Sequence, residues 1–460
     1  TAQVGALGTS VIAGLSNNQL AGLTANQLRA LGGEQLAALG TKQLAALSTT
    51  QVQGLDPARM GTLSRTQIGG FSNKQIGALS TSQIDALGSS QINGLSKAQI
   101  GALSGAQLAV LDATQIAGLT ADHLKSLSTS QVTALSSTQI GALNQTQIGG
   151  LGVDQIKRMG ATQLAGLGSA QVAGLGTAQL NALSTSQIAA LGSALVMGLS
   201  PANIGRLPVQ GLTQTQIQAM GPAQVGGLNA AQIAKLTATQ MGGFGTDDIA
   251  ALNTTQMRAL TTSQLGALTA EQVQGLESTD IGVLSAAQLG ALSPGRIGAL
   301  LPGQIRGLSS GQIKDLSTSQ VAGLTATQMG ALTTQQVKGL ESRDIALLTG
   351  TAMTGLNMTL ITALSPDQLK GLTSSHVRNL STEQLGGFTS TQIKALSSSQ
   401  VTALSAHVNQ LSTAQVRGLE TADFASLNVA ANPFTAQQFG ALTTAQQNAY
   451  SQAGGAMPSS

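Results

Sequence analysis

The feature that most constrains this chain is an eight-residue repeat. One large apolar residue marks the same point of almost every repeat, at Leu7, Leu15, Leu23, Leu31, Leu39, Leu47, Leu55, Leu63, Phe71, Leu79, Leu87 and Leu95. With this residue as position 1, the octad reads Leu, Ser/Thr/Gly, any, any, Gln, Ile/Val/Leu, any, Ala/Gly. Long arrays of short repeats are typical of solenoids, in which each repeat contacts mainly its neighbours.

The phase of the repeat divides the chain into blocks. The octads run without interruption to Leu207, slip through 208–211, and resume at Leu212. We therefore predict a first octad block at 1–207, a phase break at 208–211 and a second octad block at 212–404. Irregular terminal repeats and a polar C-terminal tail then fill 405–460.

The chemistry of each octad predicts where a helix begins. In the octad 79–86, Ser80 can cap a helix by accepting the amide of Gln83, whose side chain reaches back to the amide of Ser80; this is a capping box. Leu79 and Ile84 then stand at the two positions whose apolar contact fixes chain entry into a helix. The next octad repeats the pattern with Leu87, Gln91 and Ile92.

Proline supports the same helix start. The first helical position tolerates proline because its N–H has no partner within the helix. Six prolines fall at octad position 3, which is this first position: Pro57, Pro201, Pro222, Pro294, Pro302 and Pro366. The predicted fold is therefore all-α, a solenoid of very short helices of about two turns, one per octad. Helices this short need packing against neighbours to persist.

The alternative fold is a β-solenoid with ladders of glutamine. The β-branched Ile, Val and Thr residues suit strands. Strand interiors exclude proline, however, so this alternative leaves the shared phase of the six prolines unexplained.

Composition excludes several classes of function. A net charge of +3 with one Tyr and no Trp provides neither a basic stripe nor stacking platforms, so we expect no nucleic-acid partner. No apolar stretch approaches the roughly 20 residues of a membrane span. The chain has no Cys, and no Ser-His-Asp order, P-loop or dinucleotide motif occurs. We predict no enzyme activity, no catalytic residues and no cofactor.

Histidines and acidic residues are the candidates for metal binding. His123 and His376 replace the octad glutamine, and His407 lies at a one-residue deletion. Acidic pairs at Glu277/Asp280, Glu341/Asp344 and Glu420/Asp423 suggest either calcium or caps in which Glu replaces Ser and Asp replaces Gln. No glycine-rich, Asp-rich loop surrounds them, so we favour the caps and predict no metal site.

Several residues are candidates for contacts between subunits. Leu195, Ala352 and Leu360 replace the octad glutamine with apolar side chains, which can face another chain or fill a local packing change. The first octad begins at position 3 and lacks its Leu and its cap, so we expect an open end at Thr1 and Val4. The last repeats contribute Phe439 and Tyr450 before the polar tail.

The octad at 80–87 resembles low-complexity repeats of very large secreted bacterial surface proteins, which are often labelled adhesins or haem-utilisation proteins. The resemblance implies a bacterial, extracellular, structural protein, although three scattered histidines do not support haem binding. The first hypothesis is a self-assembling segment of an extracellular filament, matrix or adhesive stalk. Its expected partners are further copies of itself, with the cell surface or matrix as a further candidate. A monomeric scaffold for a protein, peptide or glycan is the alternative, and an ice-binding array is a minor one.

Overall fold

All regular structure in this chain is helical. The computed structural model describes residues 2–431 and 433–457, and no β-strand occurs within these ranges. The predicted all-α solenoid of short helices is confirmed, and the β-solenoid alternative is wrong. None of the described helices is long and apolar enough to cross a lipid bilayer.

The chain forms two compact units, Thr1–Leu228 and Asn229–Ser460. In the first unit nearly every octad has its own helix, and one 3₁₀ turn, Val209–Gly211, occupies the predicted phase break. The α-helices are Ala2–Gly5, Thr9–Gly14, Asn17–Ala21, Ala25–Arg29, Gly33–Ala37, Thr41–Ala46, Thr49–Gln53, Pro57–Met60, Arg65–Gly69, Asn73–Ala78, Thr81–Asp85, Ser89–Gly94, Lys97–Gly101 and Gly105–Ala109. They continue with Ala113–Ala117, Ala121–Ser126, Thr129–Thr133, Ser137–Ala142, Gln145–Gly149, Val153–Arg158, Ala161–Leu164, Ser169–Ala173, Thr177–Asn181, Thr185–Ala190, Ser193–Met197, Pro201–Ile204, Gln214–Gln218 and Pro222–Gly226.

The second unit has the same design, and its 3₁₀ segment, Ser405–Gln410, lies where the irregular repeats begin. Its α-helices are Ala230–Lys235, Ala238–Met241, Thr246–Ala250, Thr254–Ala259, Thr262–Ala267, Ala270–Gln274, Ser278–Gly282, Ala286–Gly290, Pro294–Ala299, Pro302–Ile305, Ser310–Lys314, Thr318–Ala322 and Ala326–Ala331. They continue with Thr334–Val337, Ser342–Leu347, Gly350–Met353, Met358–Ala363, Pro366–Leu369, Ser374–Arg378, Thr382–Gly386, Ser390–Lys394, Ser398–Leu404, Thr413–Val416, Asp423–Ser426, Ala436–Ala441 and Thr444–Gln452.

The boundary between the two units follows Leu228 and does not coincide with the phase break at 208–211. The octad blocks 1–207 and 212–404 describe the phase of the sequence, and their role as domains stays a prediction.

Each helix begins where the cap chemistry places it. Ser80 has extended backbone angles, φ −68° and ψ 159°, and the helix Thr81–Asp85 follows it at once. All six prolines at octad position 3 stand at the start of a helix. The helix ends as the next position-1 residue returns to an extended conformation, as Leu95 does after Ser89–Gly94. No separate loop is needed, because one residue ends a helix and the next caps another.

The core of each unit is a column of the residues at octad positions 1 and 6. Leu79, Ile84, Leu87 and Ile92 are all buried, and the same holds for nearly every octad from Leu31 onward. Burying such a side chain contributes roughly 1.5 to 3 kcal/mol. Positions 3, 4 and 7 remain mostly exposed and carry the Ser, Thr and Ala that make the sequence monotonous.

Small residues at position 8 permit close approach between successive turns of the solenoid, each of which contains several short helices. A methyl group placed on Gly54 would lie 2.6 Å from the carbonyl oxygen of Ala25, which is the first residue of a helix in the preceding turn. Glycine is the residue that accommodates such backbone proximity without moving its neighbour.

Candidate functional site: the glutamine ladder between turns

The octad glutamine closes the cap of its own helix. The N–H of Ser80 donates to Oε1 of Gln83 at 2.8 Å, and the N–H of Gln83 donates to Oγ of Ser80 at 3.2 Å. The expected capping box is therefore present. In the next octad Gly88 stands at the cap, so only the first of these two bonds forms, from its N–H to Oε1 of Gln91 at 2.6 Å.

The side chain of the same glutamine also makes hydrogen bonds to the preceding turn of the solenoid, which the sequence analysis did not predict. Nε2 of Gln83 donates to the carbonyl oxygens of Val52 and Leu55, both at 2.8 Å. Nε2 of Gln91 does the same with Met60 and Leu63, at 2.9 and 2.6 Å. These acceptors lie 31 and 28 residues earlier, at the end of a helix in the preceding turn. One side chain therefore caps its own helix and joins two turns.

The spacing of these bonds gives the geometry of the stack. Twenty-eight residues are three and a half octads, so helices in successive turns are staggered by half an octad. The N-terminus of each helix consequently lies beside the C-terminus of a helix in the preceding turn. This places positive and negative helix ends together, which is favourable for their dipoles.

We call this row of bonds the glutamine ladder, with one rung for each octad side chain that donates to a carbonyl one turn earlier. In the first unit the rungs begin at Gln35, whose Nε2 reaches the carbonyl oxygens of Val4 and Gly5, both at 3.3 Å. Among the described residues, Gln19 and Gln27 make only the bonds of their own caps. Both of these side chains are more exposed than Gln83.

A side-chain amide can make both bonds at this position, whereas a carboxylate cannot. A capping box accepts Glu as readily as Gln, yet no Glu of this chain stands at octad position 5. A carboxylate can accept the cap N–H but has no hydrogen to donate to the neighbouring turn. The absence of Glu at position 5 is therefore the sequence signal that could have revealed the hydrogen bonds from this side chain to the preceding turn.

Histidine replaces glutamine and makes both kinds of bond. Nδ1 of His376 accepts the N–H of Thr373 at 3.3 Å, and its Nε2 lies 2.9 Å from the carbonyl oxygen of Leu348, 28 residues earlier. Nδ1 of His123 accepts the N–H of Thr120 at 3.2 Å, while the carbonyl of Leu95 bonds the ring on its other side. Burial lowers the pKa of His123, because protonation would place a charge in the core. The predicted substitution of caps by histidine is confirmed for these two residues.

Aspartate replaces glutamine but makes only the bond to its own cap. Oδ2 of Asp280 accepts the N–H of Glu277 at 3.0 Å, and Oδ2 of Asp344 accepts the N–H of Glu341 at 2.9 Å. Asp248 accepts the N–H of its cap residue Gly245, and Asp423 accepts the N–H of Glu420, three residues earlier. Burial raises the pKa of Asp248, Asp280 and Asp423. Oδ1 of Asp344 is buried without a hydrogen bond, and its nearest cation is Nε of Arg343 at 3.7 Å.

The acidic caps differ from the prediction in one respect. Glu277 and Glu341 stand at the N-cap, but neither carboxylate accepts a hydrogen bond from the helix that follows. Glu341 instead pairs with Arg343 at 3.0 Å and with Lys314 at 3.6 Å. The Glu side chain is longer than Ser and points to these cations on the surface. Asp replaces Gln as expected, whereas Glu does not replace Ser.

The residues predicted for subunit contacts are placed as follows. The side chains of Val4, Leu195, Leu360 and Tyr450 are buried within the chain, Phe439 is partly exposed, and Thr1 lies outside the described residues. Tyr450 packs against Phe434 and Phe439 with ring centres 5.0 and 5.5 Å apart, and its hydroxyl accepts the N–H of Phe434 and donates to Ala456. The contact with another subunit stays a prediction for all six.

One open cleft in the second unit brings charged and hydroxyl side chains together. It has a volume of about 730 Å³, and its lining includes Lys394, Arg417, Glu420, Thr421 and Thr443. Across the described ranges, no three His, Cys, Asp or Glu side chains come together in a way that could hold a metal ion.

Comparison with known families finds matches in five parts of the repeat array. Five segments match the ALTTAQ repeat: residues 30–65, 63–97, 241–278, 297–334 and 374–406. No curated protein matches the chain.

Structures of other proteins show only remote likeness to this chain. The leucine-rich repeat-containing protein LegL7 from Legionella pneumophila has 11% identity over 54% of this chain and 79% of its own, with a TM-score of 0.15. A homology model of the full-length AP-3 complex in an intermediate open conformation has 11% identity over 98% of this chain and 85% of its own, with a TM-score of 0.20. APUM23–GGAAUUGACGG has 12% identity over 97% and 91%, with a TM-score of 0.16. Such scores do not establish a shared fold. The five repeat matches and the helical octads together show that this chain is a tandem-repeat protein.

Proposed function

We propose that this protein is a non-catalytic structural segment of a bacterial extracellular filament, matrix or adhesive stalk, and that it assembles with further copies of itself. The observation that carries the proposal is the glutamine ladder. Each rung is made from one octad and the backbone of the preceding turn, as in the bonds from Gln83 to Val52 and Leu55. A stack of this kind gains length by repeating one unit, which suits a rod.

The surface supports a structural role over the recognition of a specific partner. Binding energy at protein interfaces is concentrated in exposed aromatic and Arg residues. This chain has six Phe and one Tyr, and all of them are buried except Phe439, which is partly exposed. The exposed positions carry mainly small polar side chains, which can pack against another copy without desolvating ions.

Electron microscopy combined with sedimentation velocity tests the proposal. We expect the purified full chain at micromolar concentration to form fibres of uniform width and to sediment faster as its concentration rises. Immunogold labelling of the producing cells should place the protein outside the cell envelope. Isolated particles that sediment as monomers at every concentration, or label confined to the cell interior, would refute the proposal.

A matched pair of variants connects the fibres to the ladder. Replacing Gln75, Gln83 and Gln91 by Ala removes three neighbouring rungs, and we expect fibres that are shorter or absent. The control replaces the exposed residues that precede them, Lys74, Ser82 and Ser90, by Ala. This control should assemble as the natural chain does, because none of the three side chains contributes to a rung.

The second candidate is a monomeric scaffold that binds a peptide or glycan, and the cleft of about 730 Å³ favours it. Lys394 and Arg417 provide cations there, and Thr421 and Thr443 provide hydroxyls. If this is the function, immobilised full-length protein should retain an acidic glycan from a glycan array, and Lys394→Ala with Arg417→Ala should abolish retention. Absence of any retained glycan or peptide, together with fibres in the microscope, would leave the structural role.

A further inference from the structure

In the second unit the glutamine ladder stops for three neighbouring octads. Asp344, Ala352 and Leu360 stand at octad position 5, and none of them can donate as an amide does. By the 28-residue spacing, the carbonyls that should accept their rungs belong to Leu316, Leu324 and Leu332. Within the described ranges, none of these three carbonyls receives a hydrogen bond from another residue's side chain. Intact rungs flank the gap, from Gln336 to Leu308 at 2.6 Å and from Gln368 to Leu340 at 2.6 Å.

The first unit has a gap of the same length. Leu195 and Asn203 stand at position 5 of two octads, and the short segment 207–211 follows, in which the glutamine, Gln210, is exposed. The carbonyls 28 residues before 195, 203 and 211 belong to Leu167, Leu175 and Leu183. As far as the structure describes the chain, they too accept no side-chain amide. Rungs resume with Gln216, which donates to Ile188 and Leu191 at 2.8 and 2.5 Å.

The length of these gaps matters because one turn contains three and a half octads. Three missing rungs remove almost the whole polar connection between two successive turns. Single interruptions have no such effect: Arg59 and Arg296 also replace the octad glutamine, but the rungs of Gln67 and Gln304 follow at once. We call the two gaps the 195–211 seam and the 344–360 seam.

Apolar packing persists across both seams. Leu195, Val196, Leu360 and Ile361 are buried like their counterparts elsewhere. In the 195–211 seam a methyl group on Gly198 would lie 2.8 Å from Cα of Ser169, so the two turns remain close. Apolar contacts are not directional. The turns at a seam are therefore held together without the bonds that fix their register.

The surface also changes at the seams. Most position 3, 7 and 8 side chains are small or polar, but Met197 is 61% exposed in the first seam, and Leu347 and Met358 are 47% and 43% exposed in the second. The departure from the octad pattern thus affects the surface as well as position 5.

We propose that the two seams are built-in opening points, at which each unit separates into two cooperative segments while the ladder on either side stays closed. This property goes beyond the proposed function, since it belongs to a single chain whether or not fibres form. Repeat stacks have stabilities that depend on interfaces between neighbours, so the weakest interface opens first. In a rod, such points would allow extension under load without loss of the remaining stack.

Hydrogen exchange of the full chain, read by mass spectrometry, tests the proposal. Helices of four to six residues do not persist alone, so opening a seam exposes the amides of the helices that border it. We expect peptides covering 193–212 and 342–363 to exchange at least tenfold faster than peptides covering 73–94. Equal rates in all three regions would overturn the proposal.

Two variants make the test specific. Asp344→Gln, Ala352→Gln and Leu360→Gln together supply three amides, and exchange at 342–363 should slow at least tenfold while exchange at 193–212 stays unchanged. Because this variant inserts bulk into a packed interior, a converse variant is also needed. Gln75→Leu, Gln83→Ala and Gln91→Leu create a gap of seam length, and residues 73–94 should then exchange at least tenfold faster. Failure of the converse variant to raise exchange would refute the inference even if the first variant misfolds.

Discussion

The turn with Gln75, Gln83 and Gln91 and the turn with Asp344, Ala352 and Leu360 are built from the same short helices. Both bury an apolar residue at position 6, and both keep the hydroxyl or amide side chain that starts most of their helices. The backbone N–H of Ala352 still donates to Oγ1 of Thr349 at 3.0 Å, although the side chain of Ala352 has no amide group. Ala352 and Leu360 lack both the bond to the N–H of their own cap residue and the rung to the preceding turn, yet their helices form.

This difference separates two tasks that the octad usually combines. The residue at position 2 starts a helix, with an effect limited to its own octad. The glutamine at position 5 assists that start and also fixes the register of one turn upon another. A chain can omit the second task locally and keep its helices, which is what the 344–360 seam shows.

The largest effect is expected from removing a rung where the ladder is intact. Gln83→Ala leaves the carbonyl of Leu55 and the N–H of Ser80 without these partners, while the carbonyl of Val52 keeps only the N–H of Leu55. An unsatisfied buried group costs about 1 to 3 kcal/mol. We expect the free energy of opening in residues 84–94 to fall by about 2 to 4 kcal/mol, measured by native-state hydrogen exchange.

Gln19→Ala is the matched control for this change. Gln19 closes the same capping box with Ser16 but makes no rung. Its replacement should cost about 1 kcal/mol, the usual value of a cap. Equal losses for the two variants would mean that the rungs contribute nothing.

A gain of stability is expected where a rung is restored. Asp280→Gln supplies a donor between the intact rungs of Gln272 and Gln288, which lie 2.7 and 2.8 Å from Phe244 and Leu260. We expect a gain of about 1 to 3 kcal/mol at neutral pH. The exposed neighbour Thr279 provides the control, since Thr279→Gln adds an amide without a rung.

The stability gained by Asp280→Gln should depend on pH. Burial raises the pKa of Asp280 in the folded chain above 3.8, so the folded state binds its proton more readily than the unfolded state. As pH falls through the raised pKa, protonation of Asp280 increases the free energy of unfolding of the natural chain. The difference in free energy of unfolding between Asp280→Gln and the natural chain therefore becomes smaller. A difference in free energy of unfolding that becomes larger on acidification would contradict the claim that burial raises the pKa of Asp280.

A smaller effect is expected at the cap alone. Ser80→Ala removes one hydrogen bond to Gln83 and leaves the rung intact, so we expect a loss of about 1 kcal/mol. Ser80→Gly should cost only a few tenths, because Gly is a good cap and occurs naturally at Gly88. Thermal unfolding followed by circular dichroism would rank the two, and a larger loss for Gly than for Ala would exclude the cap mechanism.

The smallest effect is expected from His123 on changing pH. Its pKa is lowered in the folded chain, so the unfolded state binds a proton first as pH falls below about 6.5. Below that pH the free energy of unfolding of the natural chain therefore falls, by no more than about 1.4 kcal/mol per pH unit. His123→Gln should remove this dependence, and the difference between variant and natural chain should stop changing with pH above about 7.

Much of the fold could be predicted from the sequence because the relevant contacts are local. The cap at Ser80, the apolar pair Leu79 and Ile84, and the six prolines all act within one octad. Their spacing is visible in the sequence, and it correctly gives one short helix per repeat.

The ladder could not be predicted from the period, because its bonds span 28 and 31 residues, and neither number is a multiple of eight. They depend on how many octads fit in a turn, which is decided by packing. The seams follow from the same spacing: Leu195, Ala352 and Leu360 were visible as departures, but their meaning required knowing that three octads nearly complete a turn. The burial of Tyr450 among aromatic rings likewise depends on the irregular last repeats.

The central claim is that glutamine side chains join successive turns of the solenoid everywhere except at the two seams and at single replaced octads. A crystal structure of the full chain, at a resolution that shows side-chain amides, tests this most directly. The account predicts Nε2 of Gln83 about 2.8 Å from the carbonyl oxygens of Val52 and Leu55. Glutamine side chains directed into solvent, or extended strands in place of the helices, would contradict it.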